Sequence, residues 1–253
     1  MNSTQSLGGG GARGFSPLKG KNYFTLAEVL ITLGIIGIVA ALTLPTLIQK
    51  HTNKVVETRL MKFYSAINQA ITLAEVDYGD REYWYAKYDD LDTDIKGRPV
   101  KGKTNPEKWV NKYLAPYMKI TKRKYTSDNY VLFSLADGGM FANAGGSSPN
   151  SLTDWYFYTM DYSKCEALKI KEGVCRFSFN YISRAGILNS TRTFEPYQYA
   201  WDGTLEGITS GTPAPDLSGR TRGCSNTDQS YCTLWIQYNG WKIPKDYPFK
   251  VRY

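Results

Sequence analysis

The chain has 253 residues, of which 42% are hydrophobic and 14% aromatic, and its formal net charge is +8. This composition excludes a polytopic membrane protein and a disordered body. Because the single histidine, His51, lies far along the chain from any cysteine, we expect no metal site. No serine has a Gly-x-Ser-x-Gly frame and no spaced carboxylate pair stands out, so we expect no cofactor and no enzymatic activity. The basic residues are spread along the chain, so the charge does not indicate nucleic-acid binding.

Residues 1–23 are rich in glycine, polar and basic. Such a segment cannot bury a hydrophobic core, and its composition is typical of a targeting or processing sequence. We therefore predict a leader over residues 1–23 and exclude it from the fold.

An apolar segment follows abruptly, because residues 29–44 contain no charged side chain. Counted from Phe24 to Leu44, the segment spans about 30 Å as a helix, which is the thickness of a bilayer's hydrocarbon core. The sequence therefore predicts one membrane-spanning helix. A secretory signal peptide is the alternative, although residues 42–48 lack the small-residue pattern of its cleavage site.

Glu28 places an ionisable group near the start of this apolar segment. A carboxylate in a membrane helix is costly, so it either has a partner or reaches the headgroups from the helix end. The residues alone leave both interpretations open. Basic residues flank the segment on both sides, so charge counting gives no orientation.

Residues 24–33 (FTLAEVLITL), with the basic leader before them and the apolar run and Pro45 after them, resemble the N-terminal signature of type IV prepilins and type II secretion pseudopilins. The resemblance covers roughly residues 23–78. It implies that a prepilin peptidase cuts between Tyr23 and Phe24 and that the new amino group of Phe24 is methylated. The family usually has glycine before the cut, and Tyr23 is a departure from that pattern.

The same resemblance implies assembly into a filament, in which Glu28 pairs with the amino group of Phe24 on a neighbouring subunit and sets the axial register. Small residues at spacings of three and four let helices approach closely, and a proline in this place bends the family's helix. These expected assembly positions are Gly34, Gly37, Ala41 and Pro45. The implied partners are other pilin or pseudopilin subunits, the prepilin peptidase, the inner-membrane assembly machinery and the lipid bilayer.

Beyond Pro45 an amphipathic pattern predicts that the helix continues to residue 78, where Gly79 ends it. Its apolar stripe is expected to cover a sheet. Residues 79–253 are expected to form a separate globular domain, so that the chain divides into 1–23, 24–78 and 79–253. The predicted fold class is α+β and pilin-like, with a long N-terminal helix packed on a C-terminal antiparallel sheet.

Residues 79–130 of the globular domain show no clean period, apart from a short helix predicted at 106–118. The acidic run 89–94 is predicted to be a solvated loop, since it lacks the glycine and the distant glutamate of a calcium loop. The basic run 119–124 is predicted to be a solvated face. Residues 186–223 are predicted to be loop. Residues 232–238 and 241–243 are predicted to pair as a hairpin around Asn239 and Gly240. Other strands are predicted at residues 130–135, 140–142, 155–160 and 174–179.

Four cysteines follow the apolar segment in two close pairs. Disulfides suit an exported domain, and three connectivities are possible. Proximity in the sequence favours Cys165 with Cys175 and Cys224 with Cys232. If both bonds form, the body of the protein lies outside the cytoplasm.

These patterns predict a structural subunit of a type IV pilus or type II secretion filament. The subunit would cross the bacterial cytoplasmic membrane once and then enter a periplasmic or surface filament. Two alternatives remain: a membrane-anchored binding module with an aromatic-rich surface, and a secreted hydrolase that loses everything up to about residue 45. Whether the subunit is major or minor, and whether it serves a pilus, secretion or DNA uptake, is left open.

Overall fold

The structure is a computed structural model that describes residues 24–84, 105–126, 131–145, 152–183, 193–211, 221–226 and 228–253. The predicted leader, including Tyr23, lies outside the described residues. The chain divides into two compact units, Met1–Thr46 and Leu47–Tyr253.

The helices are α1 (Leu26–Tyr78), α2 (Asn105–Tyr113), α3 (Tyr162–Glu166), α4 (Leu205–Ser210) and α5 (Cys232–Tyr238), with one 3-10 turn at Arg81–Tyr83. The strands are β1 (Ile120–Tyr125), β2 (Val131–Leu135), β3 (Met140–Gly145), β4 (Leu152–Tyr158), β5 (Arg176–Ile182) and β6 (Phe194–Pro196).

The strands form one six-stranded sheet in the order β1-β2-β3-β4-β5-β6, and every neighbouring pair is antiparallel. A row of phenylalanines crosses its centre, since Phe141 pairs with Phe133 on one side and with Phe157 on the other, and Phe157 pairs with Phe177. Side chains on directly opposed residues share a face of the sheet, so this row presents a continuous aromatic surface. The predicted α+β fold, with its N-terminal helix and C-terminal antiparallel sheet, is confirmed.

The second half of α1 covers this aromatic face. Phe63 lies at the centre of the contact, with its ring stacked on Phe157 at 4.4 Å and set edge-on to Phe179 at 5.4 Å. Burial begins at Val56, whereas Leu47 and Ile48 are exposed. The buried positions of α1 recur at threes and fours, as the amphipathic pattern predicts: Val56, Leu60, Phe63, Tyr64, Ile67, Ala70, Ile71 and Ala74.

Two disulfide-bonded segments complete the globular unit. Cys165 is bonded to Cys175 in a cluster that covers the other face of the sheet around Leu132 and Tyr158. Cys224 is bonded to Cys232 at the start of α5, within a third apolar cluster. The predicted pairing of the four cysteines is confirmed.

The predicted hairpin around Asn239 and Gly240 is wrong, because residues 232–238 form α5. Gly240 has φ 66° and follows the last helical turn, where its N–H bonds the carbonyl of Gln237 and the next N–H, of Trp241, bonds that of Ile236. This pair of bonds is the Schellman pattern that ends helices at glycine. The Asn-Gly pair therefore stops a helix here and does not turn a strand.

Two smaller predictions are corrected, and the predicted solvated face is confirmed. The short helix α2 ends at Tyr113 and not at residue 118. The basic run 119–124 lies mainly in β1, and the middle residues of this strand are exposed, as predicted for a solvated face. The region 186–223, predicted to be loop, contains β6 and α4. These two elements have short sequences whose structure depends on contacts with α1 and α5.

Candidate assembly segment

The start of α1 is fixed by a reciprocal pair of side chains. Glu28 Oε2 accepts a hydrogen bond from the Thr25 N–H at 2.8 Å and another from the Thr25 hydroxyl at 2.9 Å. In return, the Glu28 N–H donates to Thr25 Oγ1 at 3.2 Å. This is a capping box, in which residues three apart satisfy the backbone donors of the first turn. The T-x-x-E spacing of residues 25–28 is the sequence signature of such a box, although the predictions from the sequence did not include it.

The capping box occupies only part of the Glu28 carboxylate. Both bonds from Thr25 end on Oε2, and Glu28 is exposed. Among the described residues, no hydrogen bond to Oε1 is found. One oxygen of this carboxylate thus orders its own helix while the other remains able to accept a donor from outside the chain.

The large apolar side chains of the segment 24–44 are all exposed, with exposed fractions from 41% at Val29 to 83% at Phe24. An exposed apolar surface of this extent marks a membrane or protein contact. Its large members are Phe24, Leu26, Val29, Leu30, Ile31, Leu33, Ile35, Ile36, Ile38, Val39, Leu42 and Leu44. Helix α1 is long and apolar enough at its beginning to cross a membrane, judged by length and composition.

The small residues of the segment have room around them. A methyl group built on Gly34 or Gly37 would meet no other described atom within 4 Å, so neither glycine is needed for packing within the described chain. Helix α1 continues through Pro45 without ending and carries Ala41 one turn before it. A signal-peptidase cut near residue 45 would therefore fall inside a continuous helix.

The buried carboxyl group of Glu172 is held in structural contacts within the globular unit. Glu172 is buried, bonded to Arg176 at 2.8 Å and to the Ser178 hydroxyl at 2.6 Å, and burial raises its pKa. His51 is exposed, with its ring 6.3 Å from that of Tyr253. Within the described ranges, no group of three His, Cys, Asp or Glu residues could hold a metal ion.

Much of the aromatic content lies inside the protein and not on a binding surface. The largest fully buried side chains are mainly phenylalanines from α1 and the sheet. Exposed rings such as Tyr83, Tyr199 and Tyr238 are dispersed over different elements. This distribution weakens the interpretation of the protein as a module with an aromatic recognition surface.

One protein-family model matches residues 46–251, and its description reads "Family of unknown function (DUF6613)". The chain belongs to this family. The matched residues nearly coincide with the compact unit Leu47–Tyr253, so the family model covers the globular unit, which includes the second half of α1. No curated protein and no solved structure matches the chain.

Proposed function

We propose that this DUF6613 protein is a structural subunit of a filament of the type IV pilus or type II secretion class. The observation that carries the proposal is the prepilin-like segment 24–33 at the head of a helix that continues into the globular unit and packs there on an antiparallel sheet. A prepilin peptidase cuts between Tyr23 and Phe24 and methylates Phe24. The protein has no enzymatic role of its own.

The subunit crosses the cytoplasmic membrane once and carries its globular unit outside the cytoplasm. The exposed apolar segment supports the single span, and the two disulfides support an oxidising compartment for the remainder. Before assembly the bilayer covers the apolar segment. After extraction by the inner-membrane machinery, the equivalent helices of neighbouring subunits cover it, with Gly34, Gly37 and Ala41 allowing close approach.

Glu28 has two roles in this account. Through Oε2 it caps its own helix, and through the remaining carboxylate charge it pairs with the amino group of Phe24 on the next subunit. The cap survives processing, because the Thr25 nitrogen is still an amide donor after the cut. A buried carboxylate without a cation would be strongly unfavourable among packed apolar helices, so the pair selects one axial register.

Two variants of Glu28 distinguish its charge from its capping bonds. Glu28→Gln keeps an oxygen that accepts the Thr25 bonds and removes the charge, whereas Glu28→Ala removes both. We expect both variants to insert in the membrane normally and both to reduce sheared filaments at least tenfold in cells that carry the assembly machinery. Membrane-fraction immunoblots and filament yield measure the two properties.

Thr32→Ala is the matched control, because Thr32 is a polar residue of the same segment whose hydroxyl bonds only to the Val29 carbonyl among the described residues. We expect it to insert and assemble as the parent chain does. Normal filament yield from Glu28→Gln would contradict the charge pair and leave Glu28 as a helix cap alone.

A further inference from the structure

A groove of about 380 Å³ lies between α1, the segment before β1 and the end of β2. Two of its lining side chains, Phe63 and Met118, also belong to the core, with exposed fractions of 1% and 8%. Leu73 lines the groove as well and is 51% exposed. Clefts of roughly 300–1,000 Å³ with mainly apolar walls are the usual form of a binding site. We call this cavity the α1 groove, and its walls suit an apolar side chain.

Cations surround the mouth of the α1 groove. Lys62 and Lys119 line it, and both are exposed. The guanidinium of Arg59 lies beside the turn after β2, because its Nη2 is 3.5 Å from a Cβ built on Gly138. Three positive charges therefore lie at or near this opening.

Two carboxylates lie in the same region, and each is engaged within the chain. Asp137 lines the groove, and its Oδ1 accepts the Gly139 N–H at 3.0 Å. Asp77 accepts a hydrogen bond from the hydroxyl of Tyr117, which is another lining residue. The mouth of the α1 groove thus keeps an excess of positive charge.

The 3-10 turn Arg81–Tyr83 presents an aromatic ring to the outside. Tyr83 is 85% exposed, more than any other large apolar side chain in the described part of the chain. The turn is anchored on both sides of this ring, because Arg81 Nε donates to the Ile182 carbonyl at 3.1 Å and the Trp84 ring stacks on Tyr113 at 4.2 Å. A ring on an anchored turn loses little conformational freedom when a partner buries it.

The charges next to Tyr83 are acidic. Asp80 and Glu82 are exposed, whereas Arg81 between them is paired with Glu75 at 2.6 Å. Residues 80–83, which we call the Tyr83 turn, therefore combine one apolar ring with two carboxylates. Their charge is opposite to that at the mouth of the α1 groove, and opposite charges across an interface favour the encounter of two surfaces.

We propose that the α1 groove binds the Tyr83 turn of a second copy of this chain, with the ring in the groove and the carboxylates beside Lys62 and Lys119. Tyrosines that fill a pocket at an interface are among the residues that contribute most to binding. A second copy is the occupant because the apolar group and its matching charges are both found on this chain. The inference goes beyond the proposed function, since both surfaces lie in the globular unit and neither includes the assembly segment.

A photochemical cross-link tests the contact directly. The full chain, with p-benzoylphenylalanine in place of Tyr83, is mixed in neutral detergent with an equal amount of isotope-labelled parent chain. We expect cross-linked peptides that join position 83 of the unlabelled chain to residues 117–119 or 135–137 of the labelled chain. The same photoreactive group in place of Tyr238, an exposed tyrosine of α5, is the matched control and should give at least tenfold less of this product. Equal yields, or no product at the groove, would overturn the inference.

Substitutions on each side of the contact test its strength. Tyr83→Ala removes the ring, and Ala136→Trp fills the groove from an exposed lining position. Each should weaken self-association at least tenfold by sedimentation equilibrium in the same detergent, whereas Tyr238→Ala should leave it unchanged. The same affinity for all three variants would contradict the contact.

A charge exchange tests the pairing at the mouth of the groove. Glu82→Lys and Lys119→Glu should each weaken self-association at least threefold, because each places like charges opposite one another. An equal mixture of these two variants should associate as the parent chain does, since the reversed charges then match. A mixture that associates no better than either variant alone would contradict the pairing.

The outcomes for this contact are separate from those for the proposed function. An intact leader ahead of Phe24 would refute prepilin processing and leave the groove contact standing. A chain that begins with N-methylated Phe24 but gives no cross-link between copies at the groove would support the proposed function and overturn this inference. Cross-links from position 83 only to residues of its own chain would also overturn it.

Discussion

The side chain of Asn68 closes the free edge of the sheet at Phe194. Its Oδ1 accepts the Phe194 N–H at 3.1 Å, and its Nδ2 donates to the Phe194 carbonyl at 2.9 Å. One amide from α1 thus takes the place that a seventh strand would occupy. Unpaired edges invite association with other chains, and this contact protects β6 while tying it to the helix.

Asn68→Ala should therefore destabilise the protein by about 2–3 kcal/mol, because it leaves buried backbone groups of β6 without their partner. Urea unfolding of the full chain in mild detergent measures the loss, and faster hydrogen exchange at the Phe194 amide locates it. Gln69→Ala is the control, since this exposed neighbour bonds to the Ser65 hydroxyl at 3.0 Å. Equal effects of the two substitutions would contradict the edge-closing role.

Gly173 lies where the two disulfide-bonded segments approach each other so closely that no side chain fits. It has φ 72°, and a Cβ there would lie 2.6 Å from Cys232 Sγ and 2.9 Å from the Tyr247 hydroxyl. Gly173→Ala should cost about 3 kcal/mol or more, combining backbone strain with a clash in the core.

Gly203→Ala separates the two contributions to the effect at Gly173. Gly203 has φ 85°, but no described atom lies within 4 Å of a Cβ built there. This control should show only the strain, about 1–2 kcal/mol. Thermal unfolding of the two variants measures the difference, and equal melting temperatures would show that the close approach to Cys232 is unimportant.

Asp154 should make stability depend on pH. Burial raises the pKa of this carboxyl from 3.8 to about 6, while the charge of Arg222 and the hydrogen bond from Asn180 oppose the shift. Well below pH 3.8 the group is protonated in both the folded and the unfolded chain. The protonated form of Asp154 therefore favours the folded chain at low pH. As pH rises through the folded-state pKa, the buried carboxyl group ionises, and this contribution to the free energy of unfolding is lost.

Asp154→Asn should consequently raise the free energy of unfolding at pH 8, by about 3 kcal/mol at most. The same substitution should change the free energy of unfolding little at pH 4. The asparagine oxygen still accepts the bond from Asn180 Nδ2, which lies 2.7 Å from Asp154 Oδ1. The difference in unfolding free energy between parent and variant, measured at both pH values, checks the sign. A stabilisation that is the same at pH 4 and pH 8 would refute the titration.

Thr25→Val should loosen the first turn of α1 without removing the charge of Glu28. The amides of residues 26–28 should exchange about fivefold faster in detergent, corresponding to the loss of about 1 kcal/mol of capping. Thr25→Ser retains the capping oxygen and should behave as the parent chain does. In filament assays both variants should assemble, and failure of Thr25→Val alone would show that the cap itself is needed for assembly.

Local patterns predicted much of this fold. The 3.6-residue period of α1 identified the face that meets the sheet, and the short spacing of the cysteines identified both disulfides. The aromatic runs of β2 to β5 were recognisable because their side chains are buried by the helix and by the disulfide segment.

Elements that depend on distant contacts were not recognisable. The three residues of β6 form a strand because Asn68 and β5 supply their hydrogen bonds, and α5 is a helix because Ile236 is buried in the core cluster that contains Phe63. Its Asn-Gly ending is shared by hairpins and helix stops, so the sequence did not decide between them. The capping box of Thr25 and Glu28 is a local pattern of the other kind, because its T-x-x-E spacing is readable in the sequence.

Mass spectrometry of the N-terminal peptide from the membrane-fraction protein tests the central proposal most directly. It reads both the first residue of the mature chain and the methylation of its amino group. We predict a chain that begins with N-methylated Phe24, which would show that Tyr23 permits prepilin processing. A mature chain beginning near residue 45, or an intact leader ahead of Phe24, would contradict the filament-subunit account.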